Sequence, residues 1–230
     1  MLSRAIVTGT NRGTGHAIAS SLADGGFRVA SLNRTCTGEP WLGEIRCDLH
    51  DSAAVDAAAQ SALEELGGVD VVVANAAVRR YAPVTEMTDA DWDDSLEVNL
   101  SSVFRLVRRV LPALRESHGD LVLVSSQAAR EPFEGGAAYC ASKAALTAFA
   151  EVVRMETRED GVRTIVLTPG AIRNRPKGDG DARKIEPESI ARLLLDLLRQ
   201  PSDVLVANVD IRPARQTAGP ARGIERLQSF

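Results

Sequence analysis

Cysteine, histidine, lysine and aromatic side chains are all scarce in this chain, and each scarcity closes a door. Cys36, Cys47 and Cys140 are odd in number and irregularly spaced, so no disulfide framework is expected. With only three histidines and no ligand-like spacing, no metal site is expected either. Two tryptophans, two tyrosines and five phenylalanines leave aliphatic residues and alanine to fill any core. The formal net charge is −4 and no basic tract stands out, which argues against a nucleic-acid partner. No apolar run reaches membrane-spanning length and no secretory signal is visible. The expectation is a cytoplasmic, metal-free protein whose partner is a small molecule, with neither nucleic acid nor membrane involved.

A chain of 230 residues is most simply one domain. Short β-branched runs alternate with helical patterns along it. The predicted helices are Gly15–Gly25, Ser52–Leu66, Ala90–Glu116, Ala138–Asp160 and Pro187–Arg199, and the seventh and last strand is Val204–Ile211. Such alternation predicts an α/β fold: a doubly wound, seven-stranded parallel sheet covered by helices on both faces. The domain is expected over residues 1–212, with a tail at 213–230. The connection from Leu32 to Ile45 is broken by Thr37-Gly38-Glu39-Pro40 and is too short for a crossover helix, so a loop or single turn is expected there. Residues 174–185, rich in Gly, Asp and Lys, read as a surface loop.

The first strand, Arg4 to Thr8, runs into Gly9-Thr10-Asn11-Arg12-Gly13-Thr14-Gly15 and then a helical pattern. Glycines there let the backbone approach a pyrophosphate, whose charge a helix N-terminus favours. Alone, such a loop is weak evidence; placed after a strand and before a helix it predicts a dinucleotide site of the Rossmann kind. The second strand ends at Asn33-Arg34. An acidic residue there would bind the ribose 2′-hydroxyl of NAD, whereas an arginine accommodates the NADP 2′-phosphate. Arg12 and Arg34 without a carboxylate therefore argue for NADP(H); two solvated surface arginines would leave the same pattern.

Tyr139 and Lys143 stand four residues apart, one turn along a helix face. A lysine ammonium held near a phenol favours its ionised form, so the pair is a candidate acid/base catalyst. An exposed Tyr and Lys adding surface packing would show the same spacing. Ser126 follows the buried-strand pattern Leu121–Ser125, which puts its hydroxyl at the rim where open α/β sheets bind ligands. Asn99 sits inside a helical pattern, where asparagine is unfavourable without a polar task.

In order and spacing these residues match the Asn–Ser–Tyr–Lys tetrad, and the chain from Leu2 to about Arg212 resembles the short-chain dehydrogenase/reductase family. The resemblance implies an oxidoreductase in which NADPH delivers hydride to a ketone or aldehyde, reversibly. Tyr139 would give the proton, Ser126 would position the carbonyl, and Lys143 would bind the ribose and tune the tyrosine. Asn99 would hold a water linking Lys143 to solvent. Asn11 and the glycine loop, Asp48 with Leu49, Asn75 with Ala76, and Pro169, Gly170 and Ile172 match the remaining cofactor-binding segments. Two positions depart from the family: Thr14 replaces a usual isoleucine, and Asn174 replaces a usual threonine. Arg79, Gln127, Arg130 and Arg173, with Arg80 and Arg175 nearby, border the substrate region in relatives, and several guanidinium groups would suit a carboxylate-bearing oxo compound. Relatives pair through the helices here predicted at 90–116 and 138–160, so a homo-oligomer, dimer or tetramer, is expected. An NAD-dependent alcohol or dihydrodiol dehydrogenase and a non-catalytic NADP-binding sensor or scaffold remain the alternatives.

Overall fold

In the computed structural model, which describes residues 3–173 and 184–215, seven parallel strands form one sheet in the order β3-β2-β1-β4-β5-β6-β7. They are β1 (Arg4–Thr8), β2 (Arg28–Asn33), β3 (Gly43–Arg46), β4 (Val71–Ala74), β5 (Asp120–Val124), β6 (Arg163–Pro169) and β7 (Asn208–Ile211). From β1 the chain winds outward to β3, then returns to pair β4 with β1 and winds the other way. The reversal opens a crevice beyond the carboxyl ends of β1 and β4, where sheets of this kind bind ligands.

The strand period of two divides the core into two layers. Ile6, Leu32, Val72, Leu121 and Leu123 face helices α2 (Ser52–Leu66), α4 (Ser102–Ser117) and α5 (Ala137–Thr157). Their neighbours Ala5, Val7, Val71, Val73, Val122 and Val124 face α1 (Gly13–Asp24) and α6 (Pro187–Leu198). Ala58, Ala59 and Ala62 are buried on α2, so small side chains bring that helix close to the sheet in place of the missing aromatics. Among the described residues no helix is long and apolar enough to cross a membrane, and no group of His, Cys, Asp and Glu is arranged to hold a metal.

The expected fold class and single domain hold, with three local differences. The helix expected over 90–116 is interrupted: α3 (Asp89–Leu96) passes through a five-residue π-helical turn, Glu97–Ser101, before α4. The Asn99 side chain bonds outside the helix and so marks the bulge, as such turns often do at functional places. The seventh strand is shorter than expected, Asn208–Ile211: the Val204 amide turns back to the Pro201 carbonyl, and pairing with β6 begins with the Ala207 carbonyl accepting from the Val166 amide. The helix expected to reach Asp160 ends at Thr157 and tightens into a 3₁₀ turn. Residues 34–42 contain no helix, as their length and Gly/Pro content predict. The expected loop at 174–185 lies mostly outside the described residues, as does most of the 213–230 tail.

One polar cluster ties the far end of the sheet together. Arg163 grips Asp120 with Nε at 2.6 Å and Nη2 at 2.9 Å. The same guanidinium donates to the carbonyls of Leu198, Gln200, Pro201 and Val204. It thereby satisfies the acceptors left over at the end of α6.

Candidate active site

A cleft of about 670 Å³ opens at the β1/β4 switch point. Its floor is the glycine loop. Gly9 and Gly13 have φ of +72° and +57°, a left-handed backbone that favours glycine. Gly15 is glycine for a different reason: a Cβ there would stand 2.0 Å from the Gly9 carbonyl oxygen. The Thr8 hydroxyl accepts from the amides of Asn75 and Ala76 at 3.0 Å each. The Asn75 amide returns to the carbonyls of Thr8 and Gly9, so the ends of β1 and β4 are bolted together.

No described side chain caps α1, and its first turn carries no acidic residue. By contrast Asp51 caps α2 and Thr88 caps α3. The first amides of a helix need acceptors from outside it, so the α1 N-terminus is an open anion-binding end facing the cleft. The Thr14 hydroxyl, buried beside it, has no hydrogen-bond partner among the described residues. These groups fit a dinucleotide pyrophosphate.

Asn33 is tied into the glycine loop. Its amide points inward, accepting from the Thr10 backbone at 2.8 Å and donating to the hydroxyls of Thr10 and Ser31. It shapes the loop and lines the cleft together with Arg12 and Arg34.

At the other end of the cleft Ser126, Tyr139 and Lys143 come together, with Ser126 just beyond β5 and the other two on α5. The Ser126 Oγ accepts from the Ala128 amide at 3.2 Å. Lys143 is 2 % exposed, and its Nζ donates to the Val124 carbonyl at 2.8 Å. Burial, with the Arg79 charge adding to it, pushes the lysine down to about 7. The large displacement in this cleft thus falls on the lysine itself. Asn99 lies beneath the cleft, fully buried. Its Oδ1 accepts from the Val78 amide at 2.8 Å, while Nδ2 donates to the Val78 carbonyl and the Ser142 hydroxyl. Ser142 in turn donates to the Tyr139 carbonyl. Both amide donors of Asn99 are therefore engaged within the protein, and the side chain locks the β4–α3 loop to α5.

Of the four side chains expected to meet substrate, only Arg79 lines the cleft. Arg130 turns to Asp210 at 2.8 Å, Arg173 stands 3.2 Å from Glu186, and the Gln127 amide binds Glu131. Arg80 is held by Asp94 at 2.6 Å and Asp91 at 3.4 Å. Asn174 and Arg175 lie outside the described residues.

Residues 3–179 match the short chain dehydrogenase family. The chain belongs to that family. It is 34% identical to D-threitol dehydrogenase of Mycolicibacterium smegmatis over 180 residues, covering 73% of this chain and 69% of that one. Against the 3-oxoacyl-(acyl-carrier-protein) reductase of Escherichia coli it is 33% identical over 177 residues, covering 73% and 72%. Among solved structures, an alcohol dehydrogenase from the archaeon Thermococcus sibiricus complexed with 5-hydroxy-NADP superposes with a TM-score of 0.86 at 27% identity, covering 96% and 100%. A metagenomic short-chain oxidoreductase in complex with NADP superposes at 0.81 and 32%, covering 93% and 98%.

Two features of this short-chain dehydrogenase escape its sequence. Tyr81 packs edge-on against both Phe133, 5.5 Å away, and Tyr139, 5.9 Å away, and the Ala82 amide bonds the Gly135 carbonyl at 3.0 Å. Two loops some fifty residues apart thus close an aromatic wall beside the candidate acid. Burial pushes the Tyr81 phenol up to about 12, so it stays protonated. On the glycine-loop side, His50 bridges Asp48, 2.9 Å from Nδ1, and Asp94. Those two carboxylates raise its pKa, Asp94 most. The Asp-x-His spacing hints at the first contact, but the second comes from α3.

The buried lysine makes a stability prediction for the cofactor-free short-chain dehydrogenase. Below pH 7 Lys143 is charged in both folded and unfolded chains, and its full burial cost is present. Between about 7 and the ordinary 10.5 only the unfolded chain keeps the proton, so stability rises with pH by up to about 1.4 kcal/mol per unit from this group. Lys143→Met is therefore expected to be most stabilising below pH 7, with its advantage shrinking towards pH 10. Urea unfolding of both proteins at several pH values measures this, and a pH-independent difference would refute it.

Proposed function

We propose that this short-chain dehydrogenase is an NADP(H)-dependent oxidoreductase that reduces a ketone or aldehyde to an alcohol, reversibly. The observation that carries the reading is one cleft holding Ser126, Tyr139 and Lys143 at one end and an uncapped helix N-terminus at the other. The α1 amides and the glycine loop would hold the pyrophosphate, Arg12 and Arg34 the 2′-phosphate, and Asp48 with Leu49 the adenine. Asn75 and Ala76 after β4, and Pro169, Gly170 and Ile172 at the end of β6, would frame the rest. When bound, NADPH supplies the hydride.

The protein's own contribution is placement and a proton. Ser126 donates a hydrogen bond to the substrate oxygen and fixes the carbonyl, and Tyr139 delivers the proton as charge develops on that oxygen. Lys143 titrates near neutrality, which suits a group that restores the proton to Tyr139 and binds the ribose hydroxyls. Asn99 acts through position, holding Val78 and Ser142.

The NADP preference is supported by the two arginines, by the inward turn of Asn33, and by the NADP and 5-hydroxy-NADP in the complexes of two structural relatives. Its test is fluorescence titration with NADPH and NADH. NADPH should bind more tightly, and Arg34→Ala should weaken NADPH by about 10–100-fold, as expected for one charge-assisted contact, with little change for NADH. Equal or tighter NADH binding would move the reading to an NAD-linked dehydrogenase. NADPH binding without turnover of any carbonyl would favour a sensor or scaffold.

A homo-oligomer is supported by Phe104 on α4 and Val152 and Met155 on α5, which stand 45%, 45% and 61% exposed. Exposed apolar side chains grouped on two such helices suit a partner surface. Met155→Glu together with Phe104→Glu is expected to lower the molar mass seen by light scattering; an unchanged mass would remove this surface from consideration.

A further inference from the structure

We infer that the substrate is an oxo acid carrying a single carboxylate, and that Arg79 alone binds that carboxylate. The inference rests on the reductase reading and gives it a substrate class. Each other described arginine around the catalytic end of the cleft has a carboxylate beside it: Arg80 has Asp94 and Asp91, Arg130 has Asp210, Arg173 has Glu186, and Arg212 has Glu131. Their charges are neutralised within the protein, and of these four only Arg80 also lines the cleft. Arg79 pairs with no carboxylate among the described residues, and it lines the cleft with Ser126, Tyr139 and Lys143. It is also close enough for its charge to act on both Lys143 and Tyr81.

Arg79 is exposed on the lining of the cleft. Arg79 brings a second positive charge to a buried lysine that already lacks a carboxylate partner among its described neighbours. An exposed guanidinium with no carboxylate beside it is open to an anion, and its planar fork matches a carboxylate in two parallel hydrogen bonds. Lys143 donates to the Val124 carbonyl and Arg80 is paired with Asp94, so the catalytic end of the cleft offers a substrate one cation without a partner among the described residues. One cation suits one negative charge; a dicarboxylate or a phosphate monoester would bring a second charge with no partner into the site. Tyr81, which follows Arg79 by two residues, adds the aromatic wall next to Tyr139. The substrate is thereby described at both ends: a carbonyl between Ser126 and Tyr139, and a carboxylate at Arg79 across an apolar flank.

The test uses the full-length protein with NADPH and a defined set of probes. These are benzoylformate, 3-oxobutanoate and 4-oxopentanoate, each beside its methyl ester, together with 2-oxoglutarate as a dicarboxylate. NADPH affinity is measured in parallel by fluorescence. In the wild type at least one monocarboxylate should exceed its ester in kcat/KM, and 2-oxoglutarate should gain nothing from its second acid group. Arg79→Gln should lower the acid-to-ester ratio on the order of 10–100-fold, the range for a charge-assisted hydrogen-bonded contact. Arg79→Lys should recover part of the ratio, since it keeps the charge but not the fork.

The inference is overturned if wild type prefers the esters or the dicarboxylate, or if Arg79→Gln leaves the ratio unchanged. It is also overturned if the variant's loss appears as weaker NADPH binding with the ratio intact, which would assign Arg79 to the cofactor. Tight NADPH binding with no turnover of acids or esters sinks the reductase reading first, and the substrate assignment with it. Turnover of esters alone overturns the oxo-acid substrate and the assignment to Arg79 and leaves the reductase reading standing.

Discussion

Replacing Tyr139 by phenylalanine is expected to lower kcat for carbonyl reduction by about 10²–10⁴-fold, the range for a positioned general acid. The substitution removes one oxygen and little else. The ring is 6 % exposed and stands edge-on to Tyr81. No side-chain hydrogen bond from the Tyr139 hydroxyl holds the described structure together, since Ser142 bonds the Tyr139 backbone carbonyl. The folded state and NADPH affinity should therefore persist while the proton donor is lost. Stopped-flow measurement of the NADPH signal separates binding from the chemical step. A variant that still turns over within about tenfold of wild type would exclude Tyr139 as the acid.

Arg163→Met is expected to destabilise the protein by about 3–5 kcal/mol, the cost of leaving one partner of a buried ion pair alone. The Arg163 and Asp120 side chains are only 15% and 9% exposed. Burial already pushes the Asp120 carboxyl above its ordinary range, and Arg163 is what opposes that rise. Removing Arg163 leaves the carboxylate without its counter-charge and the carbonyls at the end of α6 without their donor. A carboxyl whose folded pKa is raised loses stability as pH rises through that value, because only the folded chain still holds the proton. The loss should therefore be smaller in mild acid than at neutral pH. The double variant Asp120→Leu, Arg163→Met should recover part of it, since no charge is then buried alone. Urea unfolding at two pH values reads all of this; a loss under about 1 kcal/mol, typical of an exposed pair, would show that the cluster carries little stability.

The contrast between these two sites shows what one dimension of information holds. Tyr139 and Lys143 were legible because their relation is local: four residues on one helix put them on one face. The glycine loop was legible for the same reason, since backbone freedom is a property of single residues. Alternating β-branched and helical runs determined the parallel sheet, both covered faces and the absence of a helix in residues 34–42. The Arg163–Asp120 clamp had no such sign, because its partners are 43 residues apart.

Tertiary structure decided the rest through contacts between distant segments. The π-helical turn at 97–101 arises because Asn99 bonds Val78 and Ser142, which belong to other segments of the chain. Asn33, read from its strand-end position as a cofactor contact, is drawn inward by Thr10 and Ser31. The arginines around the substrate region looked alike in sequence. Only the fold gave Arg80, Arg130 and Arg173 their carboxylates and left Arg79 without one among the described residues, because a charge is neutralised by what lies near it in space and not along the chain.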